Sequence, residues 1–275
     1  MRRKGWLKSL WKYVAAAVVL IIYLLPAYVL LMTSLKTKSD MTSRLLPPEN
    51  IYLENYIKVF KQSGLPRAML NSVVITAGNL AIVIGLGCLA SYPMARCKGR
   101  LSGIVKIFIL GIMMIPGMSM VVGVYSILVS LNAISTYWGL ITVTAAFGLP
   151  FSVYMYSNFV AAIPQSLDDA AAIDGAGVLQ TFVLIILPQL KPVTVSVILM
   201  QGISCWNEYG YALYILQKPE MYNVTLAVKQ YFSMAERDLN GAAASAAVAI
   251  IPVIVLYLFL QKYFVQGVLD SAVKG

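Results

Sequence analysis

Long apolar runs alternate with short polar stretches along the whole chain, the runs falling at residues 13–32, 71–95, 102–129, 136–160, 192–216 and 241–264. Each is long enough to cross a bilayer, which takes about 20 residues of helix. The pattern predicts an all-α integral membrane protein of about six transmembrane helices. Pro116 and Pro150 lie inside the third and fourth runs and predict kinks, which neighbouring helices can repair in a membrane bundle. The first run follows a basic segment, as a signal peptide does, but exceeds the usual core of about 7–15 residues. It contains Pro26 and ends in no small-residue cleavage site, so a retained helix is expected.

Two polar stretches carry local structure of their own. Residues 33–69 contain Pro47-Pro48 and then an amphipathic piece, 55–60, which predicts a short interfacial helix. Residues 164–190 are too polar and too rich in Gly and Pro, in their first half, to span a membrane. Ser166 is placed as an N-cap, with Asp169 three residues on completing a capping-box-like pair. About two turns follow over 167–173, and Asp174-Gly175 ends them because glycine tolerates the left-handed conformation. A second, apolar helix is expected to run to Leu187 and stop before Pro188. Together they predict an angular helix pair whose Ala170, Ala171 and Ala172 admit close approach and whose acids suit a basic partner. The expected organisation is one domain over 1–275, with an N-terminal segment 1–12, core helices 68–264, this loop at 164–190 and a tail at 265–275.

Composition agrees with lipid as the main solvent. Hydrophobic residues make up 60% of the chain and charged ones 12%, with mean hydropathy +0.78, against about a quarter charged in soluble domains. The net charge of +10 would suggest nucleic acid if it were spread over a soluble surface. Instead Arg2, Arg3, Lys4, Lys8 and Lys12 precede the first run, and Arg96, Lys98, Arg100 and Lys106 stand between the second and third. Basic clusters at membrane boundaries set topology, which places both termini in the cytoplasm. Histidine is absent, which excludes His-based acid–base chemistry and His metal sites. Cys88, Cys97 and Cys205 have no zinc spacing or disulfide framework. No G-x-x-x-x-G-K-[ST] sequence occurs, so any ATP-driven role needs a separate ATPase.

Glu208 is the one carboxylate that the pattern puts inside a membrane run, with Asn207, Tyr209, Tyr211 and Tyr214 around it. Ionisable groups there face a cavity or a partner rather than lipid. Amides and carboxylates bond sugar hydroxyls while aromatic faces stack on their C–H surfaces, so these five residues are candidates for a substrate pathway. For Glu208 and Asn207, helix packing or a subunit interface is an equal alternative.

The segment DDAAAIDGAGVLQTFVLIILP resembles the EAA loop of permease subunits of ATP-binding-cassette (ABC) importers. The matching positions are Asp169, Ala170, Ala171, Gly175, Ile185, Leu187 and Pro188, with Asp169 where the family has Glu. The resemblance implies that 164–190 carries a coupling helix, with Asp168, Asp169, Ala170, Ala171, Asp174 and Gly175 meeting the ATPase. Which of Asp168 and Asp169 docks there stays open. SLK at 34–36, NY at 55–56, NS at 71–72, SYPMAR at 91–96, WNEYGYALY at 206–214 and QKYFVQGVLDSAVKG at 261–275 are similar to segments of the smaller sugar-importer permeases, the maltose-importer G-subunit group. That likeness implies a bacterial inner-membrane protein that pairs with a second permease chain, two ATPase subunits and an extracytoplasmic sugar-binding protein. ATP and Mg would be used by the ATPase, with no cofactor or metal on this chain, and Ala272, Val273 and Lys274 would lie near the nucleotide machinery. A permease for a non-sugar solute and a secondary transporter are the alternatives; one intramembrane acid is few for ion coupling.

Overall fold

The computed structural model describes residues 3–62, 64–97, 99–233 and 235–272, and for 3–10, 62, 235–237 and 263–272 the backbone alone. Among the described residues every regular element is helical. Four helices are each long and apolar enough to cross a membrane, over Trp11–Ser34, Leu65–Arg96, Tyr137–Ala162 and Asp238–Lys262. Two bent pairs raise the number to six if each pair is one span. The chain divides into two compact units, one of residues 1–66 and 227–251 and one of residues 67–226 and 252–275.

The first unit holds α1 (Arg3–Ser34), α2 (Glu54–Gln62) and the first part of α13 (Ala235–Ala272). The candidate span in α1 buries none of its most apolar window within the chain and exposes Val18, Leu20, Ile21 and Leu24, as a lipid-facing helix must. The predicted interfacial helix is α2. Between α1 and α2 the loop is tied by the motif residues themselves. Asn55 is buried and donates through Nδ2 to the carbonyls of Ser34 (2.8 Å) and Lys36 (2.9 Å), and Ser34 Oγ meets Tyr56 Oη at 2.6 Å. Lys36, 3% exposed, donates to Thr42 Oγ1 (2.5 Å), Ser43 O (2.9 Å) and Thr42 O (3.4 Å), with Asp40 Oδ1 at 3.7 Å. Asn240 adds a bond to Lys36 O at 2.8 Å.

The second unit holds α3 (Leu65–Arg96, from residue 67), α4 (Arg100–Met113), α5 (Val121–Ser130), α6 (Tyr137–Ala162), α7 (Ser166–Ile173), α8 (Val178–Gln180), α9 (Leu187–Gln189), α10 (Lys191–Trp206) and α11 (Gly210–Ile215). Most of α12 (Val224–Ser233) falls in the first unit. Helix α6 is central and packs against α4, α10 and α11. It starts at Thr136, whose hydroxyl accepts from Gly139 N at 3.1 Å, and continues unbroken through Pro150. At Gly87 an added Cβ would strike Ser152, whose hydroxyl donates to Val83 O at 2.7 Å; the missing side chain lets α3 and α6 approach closely.

Four expectations change. The third run is not one kinked helix: α4 ends at Met113 and the chain resumes at Gly117 after an 89° bend. Pro116 removes a donor and biases Ile115 out of the helical region, so the break is larger than a kink. The fifth run also divides, with residues 207–209 non-helical between α10 and α11. In the polar loop the helix α7 starts without a Ser166 cap. Gln165 is already helical (φ −64, ψ −22), and the carbonyls of Pro164 and Gln165 accept from Leu167, Asp168 and Asp169. A turn preset by Pro164 makes the serine cap unnecessary. The second helix passes Pro188 to Gln189 through a π-helical stretch, Thr181–Ile186.

Candidate functional site

Helix α7 and the cleft beside Glu208 both belong to the second unit, and they use their acids differently. Helix α7 is two turns long. It ends at Asp174, followed by Gly175 at φ +83, a left-handed conformation open to glycine at no steric cost. Ala171 is buried at 3% exposure, which corrects the expectation of a three-alanine docking surface; only Ala170 and Ala172 face outward. The cause is the helical period, since Ala171 lies on the face turned to the chain's own interior. Asp169, Asp174 and Gly175 are exposed.

Asp168 has internal partners. Its Oδ1 accepts from Tyr92 Oη at 2.6 Å and its Oδ2 stands 2.8 Å from Arg96 Nη2. Both charged side chains are largely buried, at 14% and 15% exposure. Tyr92 and Arg96 are in the last turns of α3, where a cation also suits the helix dipole. The Tyr92 ring lies 5.4 Å from that of Phe182 in the π-helical stretch. Of the two acids, Asp169 is therefore the one free to meet a partner. Sequence reasoning marked SYPMAR as a family word without seeing this pairing, because the contact spans 76 and 72 positions.

The cleft has a volume of about 330 Å³ and is lined by Asn79, Met118, Phe147, Gln201, Glu208 and Tyr211 among others, at the low end of the size that holds small ligands. Glu208 stands in the non-helical break rather than within a membrane helix, which corrects its expected place. The break exists because its carboxylate bonds backbone: Oε1 accepts from Tyr211 N at 2.8 Å, at the start of α11. Its carbonyl accepts from Asn223 Nδ2 (2.6 Å) and Thr225 Oγ1 (2.7 Å). Tyr211 stacks on Phe147 with ring centroids 5.2 Å apart and donates to Gly117 O at 2.5 Å, bracing the bend after α4. Gly148 leaves the room that Gln201 Oε1 occupies.

Of the five predicted pathway residues, the structure puts Glu208 and Tyr211 on the cleft. Asn207, Tyr209 and Tyr214 are exposed and do not line it. Gln201, Ser204 and Thr144 line it and were missed; each reads as an ordinary polar interruption of an apolar run, and only the fold gathers them. Asn79 donates to Thr144 Oγ1 at 3.0 Å and so ties α3 to α6. Ala272, Val273 and Lys274 lie outside the described residues, Ala272 for its side chain.

Residues 81–270 match the family described as "Binding-protein-dependent transport system inner membrane component". The melibiose/raffinose/stachyose import permease protein MelC of Bacillus subtilis is 35% identical over 261 residues, covering 94% of this chain and 95% of that protein. The multiple sugar-binding transport system permease protein MsmG of Streptococcus mutans is 30% identical over 280 residues, covering all of both. Among solved structures, a chain of a bacterial ABC transporter involved in the import of the acidic polysaccharide alginate superposes with a TM-score of 0.84 at 20% identity, covering 96% of this chain and 99% of that one. At that identity the likeness shows the fold.

Proposed function

The chain belongs to the binding-protein-dependent transport system inner membrane components, and on that premise we propose that it forms one half of the channel of an ABC importer for a sugar or oligosaccharide. The sugar-importing relatives support the solute class. The observation that carries the coupling role is α7, a short helix with Asp169 outward and Asp168 held inward, closed by the left-handed Gly175. ATP and Mg act on two separate ATPase subunits, since the chain has no phosphate-binding loop sequence. Asp169, Ala170, Ala172, Asp174 and Gly175 meet those subunits, and Ala272, Val273 and Lys274 reach toward them. A second permease completes the channel, and an extracytoplasmic binding protein delivers the solute. Both termini are cytoplasmic, following the basic clusters at residues 2–12 and 96–106.

In this reading ATP closes the ATPase dimer, α7 carries the movement, and the bundle opens outward to accept the solute. Glu208 and Tyr211, with Gln201, offer the solute a carboxylate, an aromatic face and an amide. The test removes residues 168–175 from the chain within its complex and measures uptake in proteoliposomes. ATP-dependent uptake should be abolished while the chain still inserts; retained uptake overturns the reading.

A further inference from the structure

The pairing of Arg96 with Asp168 is the one largely buried ion pair among the described residues of the second unit, and transport through the cleft does not use it. Its geometry has three parts. The guanidinium touches one carboxylate oxygen, the Tyr92 hydroxyl donates to the other, and the Tyr92 ring leans on Phe182. The last turns of α3, helix α7 and the π-helical stretch after it are thus joined at one point. Arg96 Nε and Nη2 are buried with no hydrogen-bond partner among the described residues, although Nη2 is within 2.8 Å of Asp168 Oδ2. The pair is held by charge and position rather than by aligned hydrogen bonds.

We propose that Arg96 is a positioning residue: by holding Asp168 together with Tyr92, it fixes the angle of α7 to the end of α3, so that a push on α7 moves α3 instead of bending the loop. The loop needs such a brace. Its backbone turns at Gly175, where a Cβ would meet nothing within 4 Å, and α8 is three residues long. Apart from Ala171, the residues of α7 are exposed or half-buried, so packing alone grips it weakly. A nearly dry ion pair resists displacement because separating it strands a charge away from water. The two neighbouring acids then have different tasks, Asp168 inward as the anchor and Asp169 outward toward the partner.

This rests on the importer reading, and one experiment separates the two. The complex of this chain with its second permease, ATPase subunits and binding protein is reconstituted in proteoliposomes, and solute imported per ATP hydrolysed is measured. Raffinose is the probe, with maltose and trehalose used in turn if the wild-type complex does not carry it. ATP-independent uptake by the wild-type complex, or none of any probe, overturns the importer reading itself. With a working wild type, Asp168→Asn and Arg96→Gln should assemble and hydrolyse ATP, yet import about fivefold less per ATP, within the range seen for residues that transmit coupling. The charge-swapped double variant, Arg96→Asp with Asp168→Arg, should recover most of the ratio, which a loss of mere bulk would not allow. A wild-type ratio in the assembled single variants, or a swap no better than they are, overturns the proposal. Should the single variants fail to assemble, Arg96→Lys and Tyr92→Phe decide. Each keeps part of the contact and should lower the ratio about twofold, and a wild-type ratio in both overturns it.

Discussion

Lys36 and Arg96 are both cations withdrawn from solvent beside an aspartate, one in each compact unit, and they are satisfied to different degrees. Lys36 finds oxygen for each of its three donors on Thr42 and Ser43, with Asp40 adjacent, and its carbonyl accepts from both Asn55 and Asn240. Arg96 has five donors and a single close charge contact, made by Nη2, while its buried Nε has no hydrogen-bond partner among the described residues. A saturated knot has one arrangement and resists change, because every departure breaks a bond. A pair with few other bonds is held chiefly against separation, since parting it strands a charge away from water. The first is suited to fixing a loop, the second to holding two helices at one angle while they move together.

Breaking the saturated knot should therefore cost stability and leave coupling alone. Asn55→Ala removes both donors that bind the carbonyls of Ser34 and Lys36, and unsatisfied buried groups each cost about 1–3 kcal/mol. A loss of about 2–3 kcal/mol is expected, since Asn240 still serves one of the two carbonyls. Thermal unfolding of the detergent-solubilised chain measures it. Solute imported per ATP by the complexes that survive should match wild type; a change there would erase the contrast with Arg96. A smaller effect is expected at the turn after α7. Gly175→Ala puts a side chain at φ +83, which costs about 1–2 kcal/mol with no clash to relieve. Limited proteolysis of the loop should quicken, and equal rates in variant and wild type would show that the turn tolerates a Cβ.

The contrast between the two cations also marks where sequence reading stops. Hydropathy alone placed the spans, because a 20-residue apolar run has few other fates. It did not show that two of them break, because the breaks depend on local competition. Pro116 ends α4 outright, and the Glu208 carboxylate offers the Tyr211 amide an alternative to a continuous helix. Local rules placed α7 and its glycine stop within a residue, yet put the cap on Ser166, because the turn started by Pro164 is a backbone event with no side-chain signature. Asp168 and Asp169 are equivalent to any local rule. Helical period turns one inward, and only the fold brings Arg96 and Tyr92 to it. The words SLK, NY and NS are legible as family marks, but their work, clamping loops through Asn55 on Ser34 O and Asn71 on Glu220 O and Tyr222 O, depends on contacts that only the fold brings together.

The smallest expected effect concerns the acid of the saturated knot. Asp40 is held below the ordinary carboxylate range, first by the Thr42 hydroxyl, then by the Thr42 amide and the nearby Lys36 ammonium, against an opposing effect of burial. A folded-state value below the unfolded one means that the carboxylate contributes stability above the unfolded value, about 3.9 for aspartate. That contribution fades as pH falls through the lowered folded value. The thermal midpoint of wild type should therefore exceed that of Asp40→Asn by a constant margin at neutral and mildly acidic pH, and the margin should narrow only below about pH 4. Detergent-solubilised protein followed by intrinsic fluorescence gives both curves. A margin that already closes between about pH 6 and pH 5 would mean that Asp40 titrates above the ordinary range, which a carboxylate bonded to Thr42 and facing Lys36 should not do. Lys36 would then be less completely satisfied than its three contacts imply, and its difference from Arg96 would be one of degree.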